Sequence, residues 1–238
     1  MLLLLLCLLP PRPLLAEPVM RGFEAVYTLK RESLTIGQTV NTLSRDNTGR
    51  YVFESSTVPV GIAAMFVKDK IMERSLWTFH DNQPRPIEYL YDRSGGRKNR
   101  TVKLSFDWEK SIVTNVINDD PWQMKIEPGV QDKLLYQLAI AQELKQGKQH
   151  IQFQVADGGT TKTYEIGVQG EEPVATPLGN YQTIKVKRLN TNRSITIWFA
   201  KELEYLPVRI EYTGREGSHF IAQLKAVKFT NMPAMPVQ

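Results

Sequence analysis

The sequence predicts a mainly β fold of the α+β type: a long antiparallel meander, curled into an open or partly closed barrel, with one main helix across it. Apolar and polar residues alternate with a period of two along most of the 238 residues, as they do in half-buried strands. The segment at about residues 131–146 replaces this alternation with helical spacing. A meander of about a dozen strands is expected to curl, because open strand edges invite aggregation.

The alternating segments are separated by turn residues. Residues 46–49 (Asp-Asn-Thr-Gly) and 157–159 (Asp-Gly-Gly) have the composition of tight turns. Residues 170–180, rich in Glu and Pro, are expected to form a loop, and the apolar residues 59–67 a short helix or a buried loop. The predicted strands are residues 23–29, 34–43, 51–53, 71–79, 87–91, 102–108, 112–117, 122–126, 151–155, 164–168, 181–189, 194–199, 208–212 and 220–229.

The predicted helix covers about residues 131–146. Few of its residues are β-branched, and Gly147 stands where a glycine commonly ends a helix. The helix is amphipathic rather than apolar all round, so we expect it to lie across the concave side of the sheet. The apolar residues at helical spacing are Leu134, Leu135, Leu138, Ala141 and Leu144.

The chain is predicted to comprise a signal peptide (1–16), a single β-rich domain (17–230) and a flexible tail (231–238). Seven leucines and Cys7 fill residues 2–9, a run shorter than the roughly 20 residues that span a bilayer and typical of a signal-peptide core. We therefore expect export to the periplasm and a mature chain with no cysteine and no transmembrane span. No Lys or Arg precedes the leucines and Leu14 is large for a cleavage site, so a buried N-terminal segment of a cytosolic protein is the alternative.

The charge pattern argues against a nucleic-acid partner. The formal net charge is +5, and Lys and Arg residues are spread among acidic ones along the chain. The densest basic run, residues 93–103, has several cations beside Gly95 and Gly96. A phosphate-binding patch would have such a run, but a solvated hairpin tip has the same composition, and we predict a hairpin tip.

The sequence shows no pattern of a catalytic, cofactor or metal site, and we predict a protein that is not an enzyme. The histidines lie about 70 residues apart, with no further ligand at the spacing of a metal site. Two carboxylate pairs, Asp107 with Glu109 and Asp119 with Asp120, could act as acid and base, but they occupy turn positions that favour acidic residues for local reasons. The three histidines are His80, His150 and His219.

One hairpin pattern occurs twice. Residues 77–91 and 198–212 both begin with Trp, have Pro nine residues later and Tyr fourteen residues later. We expect a strand, an acidic loop and a returning strand in each, with Pro at the start of the returning strand, where a missing N–H costs least. Trp77 and Trp198 either line a cavity as a duplicated pair or are ordinary core anchors.

Three stretches resemble a known family. Residues 176–187 (Thr-Pro-Leu-Gly-Asn-Tyr-Gln-Thr-Ile-Lys-Val-Lys), 197–210 (Ile-Trp-Phe-Ala-Lys-Glu-Leu-Glu-Tyr-Leu-Pro-Val-Arg-Ile) and the helix from Asp132 resemble the bacterial family called domain of unknown function 3108. The resemblance covers about residues 20–230. It implies a secreted or periplasmic protein of unassigned activity, mostly from Gram-negative bacteria, and carries over no catalytic residue. A fainter, fold-level likeness links the hairpin at residues 198–209 to periplasmic lipoprotein carriers, whose unclosed barrels hold acyl chains under a helical lid.

These observations support three hypotheses. The first is an exported, non-enzymatic envelope protein that binds a lipid, an acyl chain or a lipoprotein in a cavity of the curved sheet. The second is an envelope scaffold or protein-interaction domain with a self-filled core and no ligand, and peripheral contact with a membrane is compatible with both. The third is an enzyme acting on envelope glycans or lipids. The residues expected to line the cavity are Trp77, Phe79, Phe106, Trp108, Leu134, Leu138, Trp198 and Phe199.

Overall fold

The computed structural model describes residues 20–191, 194–214 and 217–232, so the predicted signal peptide and most of the predicted tail lie outside the described residues. The elements, in chain order, are β1 Gly22–Arg31, β2 Leu34–Arg45, β3 Tyr51–Pro59, α1 Ala63–Phe66, β4 Lys70–His80, β5 Gln83–Ser94, β6 Arg100–Asp107, β7 Ile112–Ile117, β8 Asp120–Lys125, α2 Tyr136–Lys145, β9 His150–Asp157, β10 Thr160–Thr176, β11 Gly179–Arg188, β12 Ile195–Ala200, β13 Leu206–Thr213 and β14 His219–Thr230.

The fourteen strands form one antiparallel sheet that is not closed, which confirms the predicted open meander. Its order is β8-β7-β6-β5-β4-β3-β2-β1-β14-β13-β12-β11-β10-β9. Strands that are consecutive in the chain are neighbours in the sheet, except for β8 and β9, which do not pair. In addition, β1 pairs with β14. The first and last strands therefore meet in the middle of the sheet, and its two edges are strands from the middle of the chain.

The connections between strands emerge alternately at two ends of the curled sheet, because every strand is antiparallel to its neighbour. One end carries the β1–β2, β5–β6, β7–β8, β9–β10, β11–β12 and β13–β14 turns and the β3–β4 connection that contains α1. We call it the α1 end. The opposite end carries the β2–β3, β4–β5, β6–β7, β10–β11 and β12–β13 turns.

The two edges of the sheet are bridged by the segment between them and by a side chain. The Gln131 N–H donates to the Gln154 carbonyl of β9 (2.8 Å), and the Gln131 carbonyl accepts the Ala156 N–H (2.9 Å). At the α1 end, the indole N–H of Trp122 in β8 donates to the Gly159 carbonyl at 3.3 Å. A Cβ on Gly159 would lie 2.2 Å from that ring, so the contact requires glycine.

The helix α2 is shorter than predicted and is enclosed by the sheet. It begins at Tyr136 rather than near residue 131, because the backbone of Gln131 is bound to β9 and residues 133–135 form a turn. Its buried side chains are Leu138, Ala139, Ile140, Ala141, Glu143 and Leu144.

Two apolar clusters fill the concave side and meet at this helix. The first packs side chains mainly of β1–β7 against Leu134, Leu135 and Leu138. The second packs side chains of β9–β12 against Ala139, Ile140, Ala141 and Leu144. The helix is therefore a shared part of both cores, and burial of its apolar faces on two sides holds the sheet in its curled form.

Two local predictions need correction. The loop predicted at residues 170–180 is wrong: β10 continues to Thr176 and β11 starts at Gly179. Gly170, with φ 127° beside a register shift, bends β10 without ending it. For residues 59–67 the short helix is confirmed as α1, but it lies on the surface rather than in a buried loop.

Candidate functional site

The residues predicted to line a cavity lie for the most part inside the packed cores. Trp77 and Phe199 are fully buried, and the neighbours Trp198 and Phe199, between which the ladder of β12 with β13 is irregular, belong to different clusters. Phe199 lies in the second cluster, and Trp108 is half-buried against the first. The other predicted residues all lie in the first cluster: Trp77, Phe79, Phe106, Leu134, Leu138 and Trp198.

Trp77 of the first repeated hairpin is the centre of an aromatic group. Its ring stacks on Tyr51, with centroids 4.4 Å apart, and meets Phe79 edge-on at 5.1 Å. Its indole N–H has no hydrogen-bond partner among the described residues. Pro86 lies directly across the ladder from Trp77, beside a register shift. The returning strand begins earlier than predicted, at Gln83, because the bulge accommodates a proline inside β5.

Trp198 of the second hairpin lies under charged side chains. Its indole N–H donates to Glu172 Oε1 at 2.6 Å, and the Lys185 and Arg209 cations lie 5.2 and 5.3 Å from its ring centroid. The hydrogen bond from Trp198, together with the one from Lys185, holds the pKa of the Glu172 carboxyl below its usual range. This tryptophan anchors a charged surface network rather than bordering an empty space.

An open cleft of about 390 Å³ lies at the end opposite α1. It is bordered by the β4–β5 and β6–β7 turns and by the residues that follow β8. Its apolar residues include Trp108, which belongs to the predicted cavity set. The cleft is lined by His80, Asp81, Gln83, Pro84, Arg85, Trp108, Ser111, Pro128, Gly129 and Val130.

The Trp108 ring is held between two neighbours. Phe106 stacks on it with centroids 5.8 Å apart and planes 13° from parallel, and the Arg85 guanidinium carbon lies 4.7 Å from its centroid. The indole N–H donates to the Pro86 carbonyl at 2.7 Å. These contacts fix the ring, so that the cleft has a preformed apolar wall.

One charged group of the cleft is free to bind an anion. Arg85 is half-buried and forms no salt bridge within the described part of the chain, whereas the neighbouring His80 and Asp81 lie 3.5 Å apart and face each other. An arginine beside an aromatic ring presents both a cation and an apolar surface to a ligand. Arg85 and Trp108 could therefore hold the two parts of an amphipathic molecule.

A buried carboxylate group, which the sequence analysis missed, lies where α2 begins. Asp132 Oδ1 accepts the N–H groups of Leu134 and Leu135 (2.8 and 2.7 Å), and its Oδ2 accepts the Ser75 hydroxyl at 2.5 Å. An Asp just before a helical apolar pattern is a recognised start signal. Its role as a cap could have been predicted, but its contact with β4 could not.

The surroundings of Asp132 favour its neutral form. Burial raises its pKa to about 6, although the hydrogen bonds from Leu135, Ser75 and Leu134 lower it. Burial also raises the pKa of Glu73, which accepts the Tyr89 hydroxyl at 2.6 Å. Raised carboxyl pKa values occur at catalytic sites, but both oxygens of Asp132 are occupied by the chain itself. The arrangement ties α2 to the sheet.

The two turn carboxylate pairs, Asp107 with Glu109 and Asp119 with Asp120, lie at opposite ends of β7. Asp107 pairs with Lys110 (2.8 Å) at the β6–β7 turn, whereas Asp119 and Asp120 lie at the β7–β8 turn, at the α1 end. Strand β7 separates the two pairs by roughly 20 Å, at about 3.3 Å per residue. Within residues 20–191, 194–214 and 217–232 there is no cluster of three His, Cys, Asp or Glu side chains suited to a metal, nor a helix long and apolar enough to span a bilayer.

Comparisons with known proteins place the chain in a family without assigning an activity. It is similar in fold to a crystal structure described as a β-barrel-like protein of domain of unknown function DUF1849 from Brucella abortus, with 8% identity and a TM-score of 0.61 over 89% of this chain and 99% of that chain. No curated protein matches the sequence. The model of DUF3108, proteins of unknown function, matches residues 23–225. The chain therefore belongs to the DUF3108 family.

Proposed function

We propose that the protein is a non-enzymatic envelope protein that binds a small amphipathic ligand in the cleft beside Trp108. The observation that carries the proposal is the pairing of a fixed aromatic wall with an unpaired cation, Arg85, in a cleft of about 390 Å³. Ligand sites for small molecules are typically clefts of about 300–1,000 Å³, mostly apolar, with a few placed polar groups.

The cleft refines the hypothesis of an apolar ligand. The concave side of the sheet is filled by two core clusters and α2, which supports a binding place at the mouth of the barrel rather than under the helix. Trp108 and Pro128 offer apolar contact, and Arg85 suits a carboxylate or phosphate head group. An acyl chain with an acidic head group fits both parts.

The ligand proposal is tested with two probes that differ only in charge. Dodecanoate and dodecanol are titrated into the purified chain, and binding is followed calorimetrically. Trp108→Ala should lower the affinity for both probes by about tenfold, since a buried aromatic contact is lost. Arg85→Gln should lower the affinity for dodecanoate alone. Arg209→Gln is the matched control, because Arg209 also covers a tryptophan ring, Trp198, away from the cleft. Absence of dodecanoate binding, or equal binding by all variants, would refute the proposal.

We further propose export to the periplasm. The run of seven leucines and Cys7 at residues 2–9 supports it, since its length is that of a signal-peptide core. A phosphatase that is active only outside the cytoplasm, fused behind the complete chain, should be active in intact cells. Substitution of two leucines in the run by Arg should abolish that activity, and an active fusion that survives this change would contradict export through this segment.

The second candidate is a scaffold that binds another envelope protein. The self-filled interior favours it, as do the edge strand β8 and the part of the edge strand β9 that Gln131 does not pair with, since edge strands leave backbone groups available for pairing. A protein that binds neither probe, but is crosslinked in cells to one dominant partner through β8 or β9, would replace the ligand proposal with this one.

A further inference from the structure

An apolar tip projects from the α1 end of the molecule. Residues 61–67 include four large apolar residues. Of these, Phe66 is 80% exposed, Met65 70% and Ile62 69%. Val67 beside them is also exposed. Single exposed apolar residues are common on protein surfaces, but a contiguous group of this kind marks an interaction surface.

The tip is held by the neighbouring β5–β6 turn. Arg93 Nε donates to Asp69 Oδ1 at 2.6 Å. A Cβ on Gly95 would lie 2.3 Å from the Lys68 carbonyl oxygen, and a Cβ on Gly96 would lie 2.1 Å from Asp69 Oδ1. The backbone contact at Gly95 leaves no room for a side chain, so the apolar side chains are presented on a defined platform rather than on a loose loop.

Exposed cations lie in the same two loops as the apolar side chains. The two loops contain one carboxylate, Asp69, and it is engaged by Arg93. None of the five exposed cations forms a salt bridge with another described residue. They are Lys68, Lys70, Arg97, Lys98 and Arg100.

We propose that this tip, formed by residues 61–70 and 94–100, docks on an anionic lipid surface. Phe66 and Met65 enter the boundary between head groups and acyl chains, while the neighbouring cations remain among the lipid phosphates. Exposed apolar side chains beside unpaired Lys and Arg are the combination that interfacial membrane contact requires.

The same features disfavour a protein partner at the tip. Burying Phe66 in a protein groove would bring the flanking lysines into the interface, where lysine is depleted. Lipid head groups leave these ammonium groups hydrated and supply the opposite charge. The proposal is independent of the cleft, which lies at the opposite end and would face away from the lipid.

A position-specific probe tests the proposal in the full chain. In a Cys7→Ser background, Phe66→Cys carries an environment-sensitive fluorophore, and Leu178→Cys is the matched control. Leu178 is also an exposed apolar residue, but it lies in the β10–β11 turn at the opposite end. With vesicles of phosphatidylcholine and phosphatidylglycerol, emission at position 66 should shift to the blue and emission at position 178 should not. An unshifted probe at 66, or equal shifts at both positions, would overturn the proposal.

The charge requirement is tested separately. The triple variant Lys68→Gln, Arg97→Gln and Lys98→Gln should lower the affinity for anionic vesicles by more than about tenfold, because each cation near the surface contributes to binding. The variant Lys187→Gln, Lys225→Gln and Lys228→Gln removes the same charge from exposed strand positions and should bind like the parent. Equal losses in the two variants, or capture of a protein rather than lipid by a photocrosslinker at position 66 in cells, would refute lipid docking.

Discussion

The two repeated hairpins have the same residue spacing but different surroundings. In the first, Trp77 is fully buried among Tyr51 and Phe79. In the second, Trp198 bonds Glu172 and lies under two cations. A ladder irregularity adjoins the tryptophan in both hairpins. The repeated spacing therefore specifies the bulged hairpin, and the rest of the sheet decides what each tryptophan contacts.

Both hairpins or their strands also contact α2, and the first does so near each end of the helix, with Gln83 donating to Glu143 at 2.9 Å. Ser75, two residues before Trp77, donates to the buried Asp132 where the helix begins. In the second hairpin, Glu204 forms a partly exposed ion pair with Lys145, where the helix ends, at 3.2 Å. The attachment at Ser75 is buried and the one at Glu204 is solvated. We therefore expect changes in the first hairpin to cost more stability and to depend on pH.

The largest effect is expected for Trp77→Ala. Removal of a fully buried indole leaves a cavity between Tyr51 and Phe79, and such substitutions cost about 3–5 kcal/mol of unfolding free energy. Urea unfolding with an unchanged m-value would measure this loss. A cost below about 1.5 kcal/mol would mean that the first cluster closes around the vacancy, and the contrast between the hairpins would disappear.

Trp198→Ala is expected to cost less, about 2–3 kcal/mol. The Lys185 and Arg209 side chains are long and flexible, so they can move into the space left by the ring. Glu172 is partly exposed and can bond water after its indole donor is lost. The same unfolding experiment ranks the two variants. A larger loss for Trp198→Ala than for Trp77→Ala would reverse our interpretation of the hairpins.

The alternation of residues was sufficient to predict the strands, but not how the sheet is arranged. Period two is set locally by the burial of one face, so residues 102–108 and 220–229 could be assigned from the sequence. The pairing of β1 with β14, and the filling of the gap by Gln131, depend on contacts between distant residues that no local pattern encodes. The failed loop at 170–180 shows the same limit, because Gly170 bends a strand whose continuation depends on β11.

The candidate sites were predictable only in part. Aromatic surface predicts a cavity position for Trp108, which does line the cleft, but it predicts the same for Trp77 and Phe199, which are core residues. An aromatic residue of the core and one of a ligand site look alike in a sequence, because packing and ligand binding both use the apolar surface of the ring. The exposure of Phe66 could not be predicted, because an apolar run without a period is normally buried.

The buried attachment should make stability depend on pH. The pKa of Asp132 is raised to about 6 by burial, so its neutral form stabilises the fold below about pH 4, and that contribution is lost as the pH rises to about 6. Asp132→Asn keeps the acceptor for Leu134 and Leu135 and donates to Ser75. Relative to the variant, the parent should lose up to about 3 kcal/mol between pH 4 and 6, at about 1.4 kcal/mol per pKa unit. A difference independent of pH would show that Asp132 is ionised throughout.

The smallest effect is expected at the solvated attachment, with Glu204→Gln. Its carboxylate is about half exposed and Lys145 is partly exposed, so water and salt screen the pair, and exposed pairs contribute about 0–1 kcal/mol. The cost should be under about 0.5 kcal/mol, and it should vanish at high salt, whereas the Asp132 effect, shielded from solvent, should persist. Unfolding at low and high salt separates the two. A loss at Glu204 that is large and insensitive to salt would mean that the second hairpin holds the helix as firmly as the first.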